Sequence, residues 1–182
     1  RTAHFIGVDR NPGLIRKCIE AQRVLGYQNM EFYASDIIEF DPDKRPDITC
    51  CLHACDTATD EAIAKGVTLD SRFIIVVPCC QREIHRQMQR HPLTPVTQFP
   101  LFKERLSSVL TDAVRALVLR AAGYKVEVFE FIASNVTPKN TMLRAEKIWT
   151  EDKEALRQYW QLRKTFNIEP KIEEYLTWLQ PA

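Results

Sequence analysis

The sequence predicts an α/β fold built on a parallel sheet with crossover helices. Three observations carry that expectation. Short apolar runs alternate with helical patterns in the order strand, helix, strand, strand, helix, strand. Those runs are apolar throughout rather than alternating, which fits strands covered on both faces. The last two strand-like segments follow one another without a helix between them, which predicts an antiparallel hairpin.

Residues 3–8 form an apolar run that ends at Asp9. Asn11-Pro12-Gly13 signals a turn and a helix start, and Leu14, Ile15, Cys18, Ile19 and Leu25 recur at helical spacing up to Gly26. A short strand over 30–34 leads into Ser35-Asp36 and a loop rich in Asp and Pro. Residues 48–53 are expected as a buried strand, followed by a helix over 57–65 that stops at Gly66. The most hydrophobic strand, 72–77, is ended by Pro78. Polar residues 81–91 and a proline-punctuated loop over 92–100 precede a long amphipathic helix over 102–122, closed by Gly123. Strands over 125–133 and 142–148 are joined by 134–141, and the polar tail 151–179 is helical with a break at Pro170. The expected organisation is one domain over 1–150 with a helical extension over 151–182.

The chain of 182 residues is long enough to bury a sizeable core, and its formal net charge is +1. That balance gives no global electrostatic footprint for nucleic acid or an anionic membrane, although a local basic face is compatible with it. No apolar run approaches the about 20 residues that span a bilayer, and no secretory leader is expected. Four of the six cysteines form two neighbouring pairs, Cys50-Cys51 and Cys79-Cys80. Such pairs suit a disulfide framework poorly, so reduced thiols in a cytoplasmic protein are expected, mostly packed on buried strands.

A sheet of this kind normally opens on a central strand and a glycine-rich turn, and no G-x-G-x-x-G or similar loop occurs. The chain opens on what resembles a second strand. A missing central strand would leave unpaired backbone groups, each costly when buried. Upstream residues of the same protein are therefore expected to supply it.

Candidate chemistry sits at the strand ends, where such folds bind ligands. Asp9, beside Arg10, is placed to accept ribose hydroxyls; its structural alternative is a cap on the following helix. Asp36 could accept an adenine amine while Ile37 packs on the ring, against the alternative of a turn aspartate. The segment LHACDTATDEA gathers His53, Ala54, Cys55, Asp56, Thr57, Thr59 and Asp60 at the end of a buried strand. Part of it suits a helix start, with Thr57 or Thr59 ahead of Asp60 and Glu61. His53 and Asp56 are the candidates for a catalytic role. Cys79, Cys80 and Gln81 end the neighbouring strand, and Lys139 and Asn140 lie in the hairpin loop, all as candidate substrate contacts. A zinc site from His53, Cys55, Cys79 and Cys80 is the weaker alternative, because adjacent cysteines lack the usual C-x-x-C spacing. No metal is therefore expected. Trp160 and Trp178 in the tail are expected to pack on the domain.

The runs GVDRNPGLIRKC, ASDI, LHACDTATDEAI, VVPCCQREI and FIASNVTPKNTMLRAEK together resemble one branch of the class I S-adenosylmethionine-dependent methyltransferases. Members of that branch share an LHxC(D/G)xATD segment and a CC pair after the next strand, and it is similar to tRNA ribose 2′-O-methyltransferases with a KHLCGxATD string. The resemblance implies a Rossmann-like, seven-stranded sheet with its last strand antiparallel, here lacking the first strand and the glycine-rich loop. It also implies S-adenosylmethionine as cofactor and RNA as the substrate class. Asp9 and Arg10 would lie at the cofactor ribose, Asp36 and Ile37 at the adenine, and His53, Ala54, Cys55 and Asp56 where methyl group and substrate meet. A degenerate, non-catalytic binding platform is the competing expectation.

Overall fold

The structure, a computed structural model, describes residues 3–54, 56–133, 135–137, 139–148, 150 and 152–180. It divides into two compact units, Arg1–Asp43 and Lys44–Ala182.

The first unit is a β-α-β turn of chain. Strand β1 (Phe5–Asp9) leads into helix α1 (Pro12–Leu25) and then β2 (Met30–Ala34), which pairs parallel to β1. Asn11 caps α1, accepting the N–H groups of Gly13 and Leu14 through its side chain. The helix ends on Gly26, whose φ of 73° is the left-handed C-cap that glycine supplies without steric cost. Gln22 secures the return, donating to the carbonyls of Tyr27 and Met30. Among the described residues β1 has a partner on one edge only, and Phe5 and Ile6 are exposed.

The second unit carries a four-stranded sheet in the order β3-β4-β6-β5. Strand β3 (Ile48–Leu52) pairs parallel to β4 (Phe73–Val77) across helix α2 (Thr57–Thr68). After α3 (Arg82–Gln87), α4 (Thr94–Thr97) and the long α5 (Pro100–Ala121) come β5 (Tyr124–Glu130) and β6 (Thr141–Lys147). They form the expected antiparallel hairpin, and β6 lies antiparallel against β4. Helices α6 (Lys153–Phe166) and α7 (Ile172–Tyr175) and a 3-10 turn (Thr177–Leu179) finish the chain.

The registers put Cys51, Ile74, Val76, Leu143 and Ala145 on one face, all buried. Helices α2 and α5 cover that face with Ile63, Ala64, Leu110, Val114 and Val118. The opposite face is more open, with Phe73 and Ile75 of β4 half-buried and only its end at Val77 buried, so it falls short of the expected second buried face. Along β5 and β6 it is polar, with an Arg144–Glu127 ion pair and an Arg72–Glu146 pair at 3.6 Å. Along β3 it stays apolar: Ile48 and Leu52 are more than half exposed, and Cys50 is exposed. The expectation that most cysteines sit on buried strands also fails. Among the described residues only Cys50 and Cys51 lie on strands, and only Cys51 is buried.

Helix α2 runs past Gly66 rather than stopping there. A side chain at that position would meet Ile74 Cδ1 at 2.9 Å and Thr49 Cβ at 3.2 Å, so the glycine permits close helix–sheet packing instead of ending the helix. The helix starts at Thr57 as expected, but its N-cap Asp56 makes no side-chain cap bond, Thr59 donates to the Ala54 carbonyl, and Asp60 points into the core. The tail breaks at Asn167, left-handed with φ 50°, three residues ahead of Pro170. Among the described residues no helix is long and apolar enough to cross a membrane.

Gly66→Val is expected to destabilise the fold by about 1–3 kcal/mol through overpacking against Ile74. Urea denaturation followed by circular dichroism would measure it.

Candidate active site

In the first unit the carboxyl ends of β1 and β2 come together. Asp9 accepts the Asn11 N–H at 2.7 Å, and its carbonyl accepts the Ser35 N–H at 3.2 Å. Asp9 therefore shapes the turn, while Asn11, not Asp9, caps the helix. Asp36 is exposed and pairs with Arg10 at 3.6 Å, and Ile37 beside it is half-buried. Asp9, Arg10, Asp36 and Ile37 thus lie at the adjacent carboxyl ends of β1 and β2, two carboxylates and a guanidinium with an apolar neighbour.

In the second unit the chain leaves β3 through a constrained turn. His53 has φ 56° and Asp56 φ 55° with ψ −117°, conformations that cost a side-chain-bearing residue about 1–3 kcal/mol each. Neighbours hold the turn in place. The His53 N–H donates to the Val77 carbonyl at 2.9 Å, and the Cys79 thiol donates to the His53 carbonyl at 3.5 Å. The Asp56 carboxylate accepts the Glu83 N–H at 3.0 Å, capping α3 from outside its own segment. The His53 side chain is exposed. Cys55 lies outside the described residues.

The anchor of this turn is Arg115 on α5, 1% exposed. Its Nε and Nη2 bind the two oxygens of Asp60 at 2.8 and 3.1 Å, Nη1 reaches Asp112 at 3.3 Å, and Nη2 donates to the Asp56 carbonyl at 2.9 Å. A guanidinium fork suits this task, because it satisfies a bidentate carboxylate and still has donors to spare. Sequence reasoning missed Arg115, since one arginine in an amphipathic helix resembles a solvated charge. The only available signal was its position among the apolar residues Leu110, Val114, Val118 and Leu119.

Gln81, 8% exposed, accepts Ser108 Oγ at 2.8 Å and Lys139 Nζ at 3.4 Å, tying the start of α3 to α5 and to the hairpin loop. Asn140 is buried and donates to the Ile132 carbonyl, so it braces the hairpin loop. Cys79 and Cys80 are half-buried, and with Gln81, His85, Leu101 and Lys139 they line a cavity of about 600 Å³. An adjoining hollow of about 900 Å³ shares Gln81 and Lys139 and runs along Val109, Ala113 and Leu117 of α5. Among the described residues no group of three or more His, Cys, Asp or Glu is arranged to hold a metal ion.

Burial pushes the Glu83 carboxyl up to about 7. Asp60 and Asp56 add to the rise, while the Lys171 N–H and Arg115 oppose it.

Residues 1–87 match the sequence model of a methyltransferase domain family. The matched span contains every candidate residue except Lys139 and Asn140. No curated protein matches the chain. Solved structures that resemble it include the magnesium protoporphyrin IX methyltransferase of Synechocystis PCC 6803 with bound SAH. That likeness has 16% identity and a TM-score of 0.49, over 80% of this chain and 64% of that one. The 23S rRNA methyltransferase ErmE is similar at 15% identity and a TM-score of 0.47, over 98% of this chain and 68% of that one. An O-methyltransferase family protein from Burkholderia thailandensis is similar at 16% identity and a TM-score of 0.43, over 80% and 43%. The chain thus spans less than two thirds of the first of these proteins. The matched domain and the observed order of strands and crossover helices give the chain a Rossmann-like α/β fold.

Arg115→Met is expected to lower stability by about 3–5 kcal/mol, because Asp60 would remain buried without its partner. Chemical denaturation of the variant, with an Arg115→Met/Asp60→Leu double variant recovering part of the loss, checks this. For Glu83 the folded pKa lies above the unfolded one. Its contribution is therefore full below about pH 4.5 and lost as pH rises through about 7. Glu83→Gln should flatten the fall in melting temperature between those limits, measured by scanning calorimetry across pH.

Proposed function

We propose that the protein transfers a methyl group from S-adenosylmethionine, with RNA as the acceptor class and the cytoplasm as its compartment. The observation that carries the reading is the methyltransferase-domain match over residues 1–87, which takes in both strand-end carboxylates and the His53–Asp56 turn. The residues suit the cofactor. Within the first unit, Asp9 and Asp36 are acceptors for hydroxyl and amine donors, and Ile37 offers an apolar surface to a ring.

When bound, S-adenosylmethionine supplies an electrophilic methyl group, so the protein's work is positioning and proton removal. His53 is the base in this reading. Its side chain is exposed, whereas the Asp56 carboxylate already holds the Glu83 N–H. Asp56 is better understood as the residue that sets the turn. The cavity beside Cys79, Cys80 and Gln81 receives the acceptor, and Arg82 and Lys139 outnumber Glu104 among its acidic and basic linings. That balance favours an anionic acceptor such as RNA.

We further propose that a preceding segment of the same protein supplies a strand and a glycine-rich loop. Among the described residues β1 and β3 each have one apolar edge without a strand partner, and each edge suits a parallel neighbour.

Calorimetric titration of the full-length protein with S-adenosylhomocysteine tests the reading. Binding is expected, with Asp9→Ala weakening it and His53→Ala leaving it nearly unchanged. With labelled S-adenosylmethionine, His53→Ala should slow methylation of RNA by about 10²–10⁴-fold, the usual worth of a general base. Absence of binding would favour the non-catalytic platform, and labelling of another acceptor would remove RNA.

A further inference from the structure

The two cysteine pairs are alike in sequence and opposite in geometry. Cys50 and Cys51 lie on β3, where successive side chains point to opposite faces, so their sulfurs cannot meet on one atom. Cys51 is buried, with its thiol pushed up to about 11 by that burial. Cys79 and Cys80 follow Pro78, beyond the end of β4 and outside any strand. Their sulfurs stand 3.7 Å apart, and both residues line the 600 Å³ cavity, next to Pro100, Leu101 and His85.

We propose that Cys79 and Cys80 form a two-sulfur binding site for a trivalent arsenical bearing one organic substituent. Both sulfurs bind the same arsenic atom, and the substituent packs on Pro100 and Leu101.

A disulfide is the poorer product of this pair. Neighbouring Cα atoms are about 3.8 Å apart across a trans peptide, below the roughly 4.4–6.8 Å that disulfides span without strain. A tetrahedral cation cage takes four ligands, and among the described residues no group of three or more His, Cys, Asp or Glu is arranged to supply them. A trivalent thiophile that already carries one carbon substituent needs two sulfurs and no more. In the reaction both S–H bonds break and two arsenic–sulfur bonds form. The oxide oxygen leaves with the two protons as water, and no oxidation state changes. The second bond closes intramolecularly, at an effective thiol concentration of about millimolar or above. Monothiols therefore compete poorly, whereas a small dithiol competes well.

The site shares the cavity proposed for the methyl acceptor, but it does not rest on that reading, and its test uses no activity. The full-length protein would be mixed with equimolar phenylarsine oxide, washed with excess 2-mercaptoethanol and examined by intact mass spectrometry with a count of titratable thiols. One adduct per chain is expected, with two thiols lost and full release by 2,3-dimercaptopropanol. Cys79→Ser and Cys80→Ser should each cut the retained adduct at least tenfold, and Cys50→Ser should leave it unchanged. Peptide mapping of the wild-type adduct gives the answer even where a variant folds poorly. No retained adduct in the wild type, an adduct mapped to any other pair, or full retention in Cys80→Ser would overturn the proposal.

Discussion

The buried ion pair between Arg115 and Asp60 is the constraint on which the second unit's candidate site depends. A guanidinium removed from water must be met by acceptors on every side, and here three chain segments supply them. Asp60 comes from α2, Asp112 from α5 itself, and the Asp56 carbonyl from the turn after β3. The pair thereby couples the packing of α2 on α5 to the backbone of the turn that presents His53. Replacing such a pair with well-packed apolar residues can be neutral for stability. Its distinctive effect is geometric: the fork specifies where the Asp56 carbonyl must be, and an apolar contact would not.

The same turn shows how strain is distributed. His53 and Asp56 both hold left-handed backbone, and each is tied to a separate element. His53 is bound through its own N–H and carbonyl to the end of β4, and Asp56 through its carboxylate to the start of α3 and its carbonyl to α5. Two unfavourable conformations persist because four contacts from three directions over-determine them. The backbone at His53 is thereby fixed relative to the end of β4.

Much of this was legible in the residues, for identifiable reasons. The strand–helix rhythm and the terminal hairpin were readable because apolar runs, Pro78 and Gly123 mark their own limits. The strand-end position of Asp9 and Asp36 and the density of polar residues after Leu52 were readable for the same reason. Gly66 misled because a glycine that ends a helix and one that lets a helix approach a sheet look alike without the facing residue, Ile74. The pairing of Asp60 with Arg115 was hidden by a separation of 55 residues, which no local pattern reports. The engagement of the Asp56 carboxylate by the Glu83 N–H was hidden too, since its partner lies 27 residues away.

The free edges of the four-stranded sheet differ in one respect with a consequence for handling the protein. Strand β5 ends the sheet on one side and carries Lys125, Glu127 and Glu130, charges that discourage another chain from docking on it. Strand β3 ends it on the other, and its five residues, Ile-Thr-Cys-Cys-Leu, include no charge and no proline. An edge of that composition is a template for pairing with a like segment of another molecule. Whatever covers β3 in the cell therefore acts as a safeguard against self-association, and a chain that lacks the cover should become aggregation-prone along that strand first.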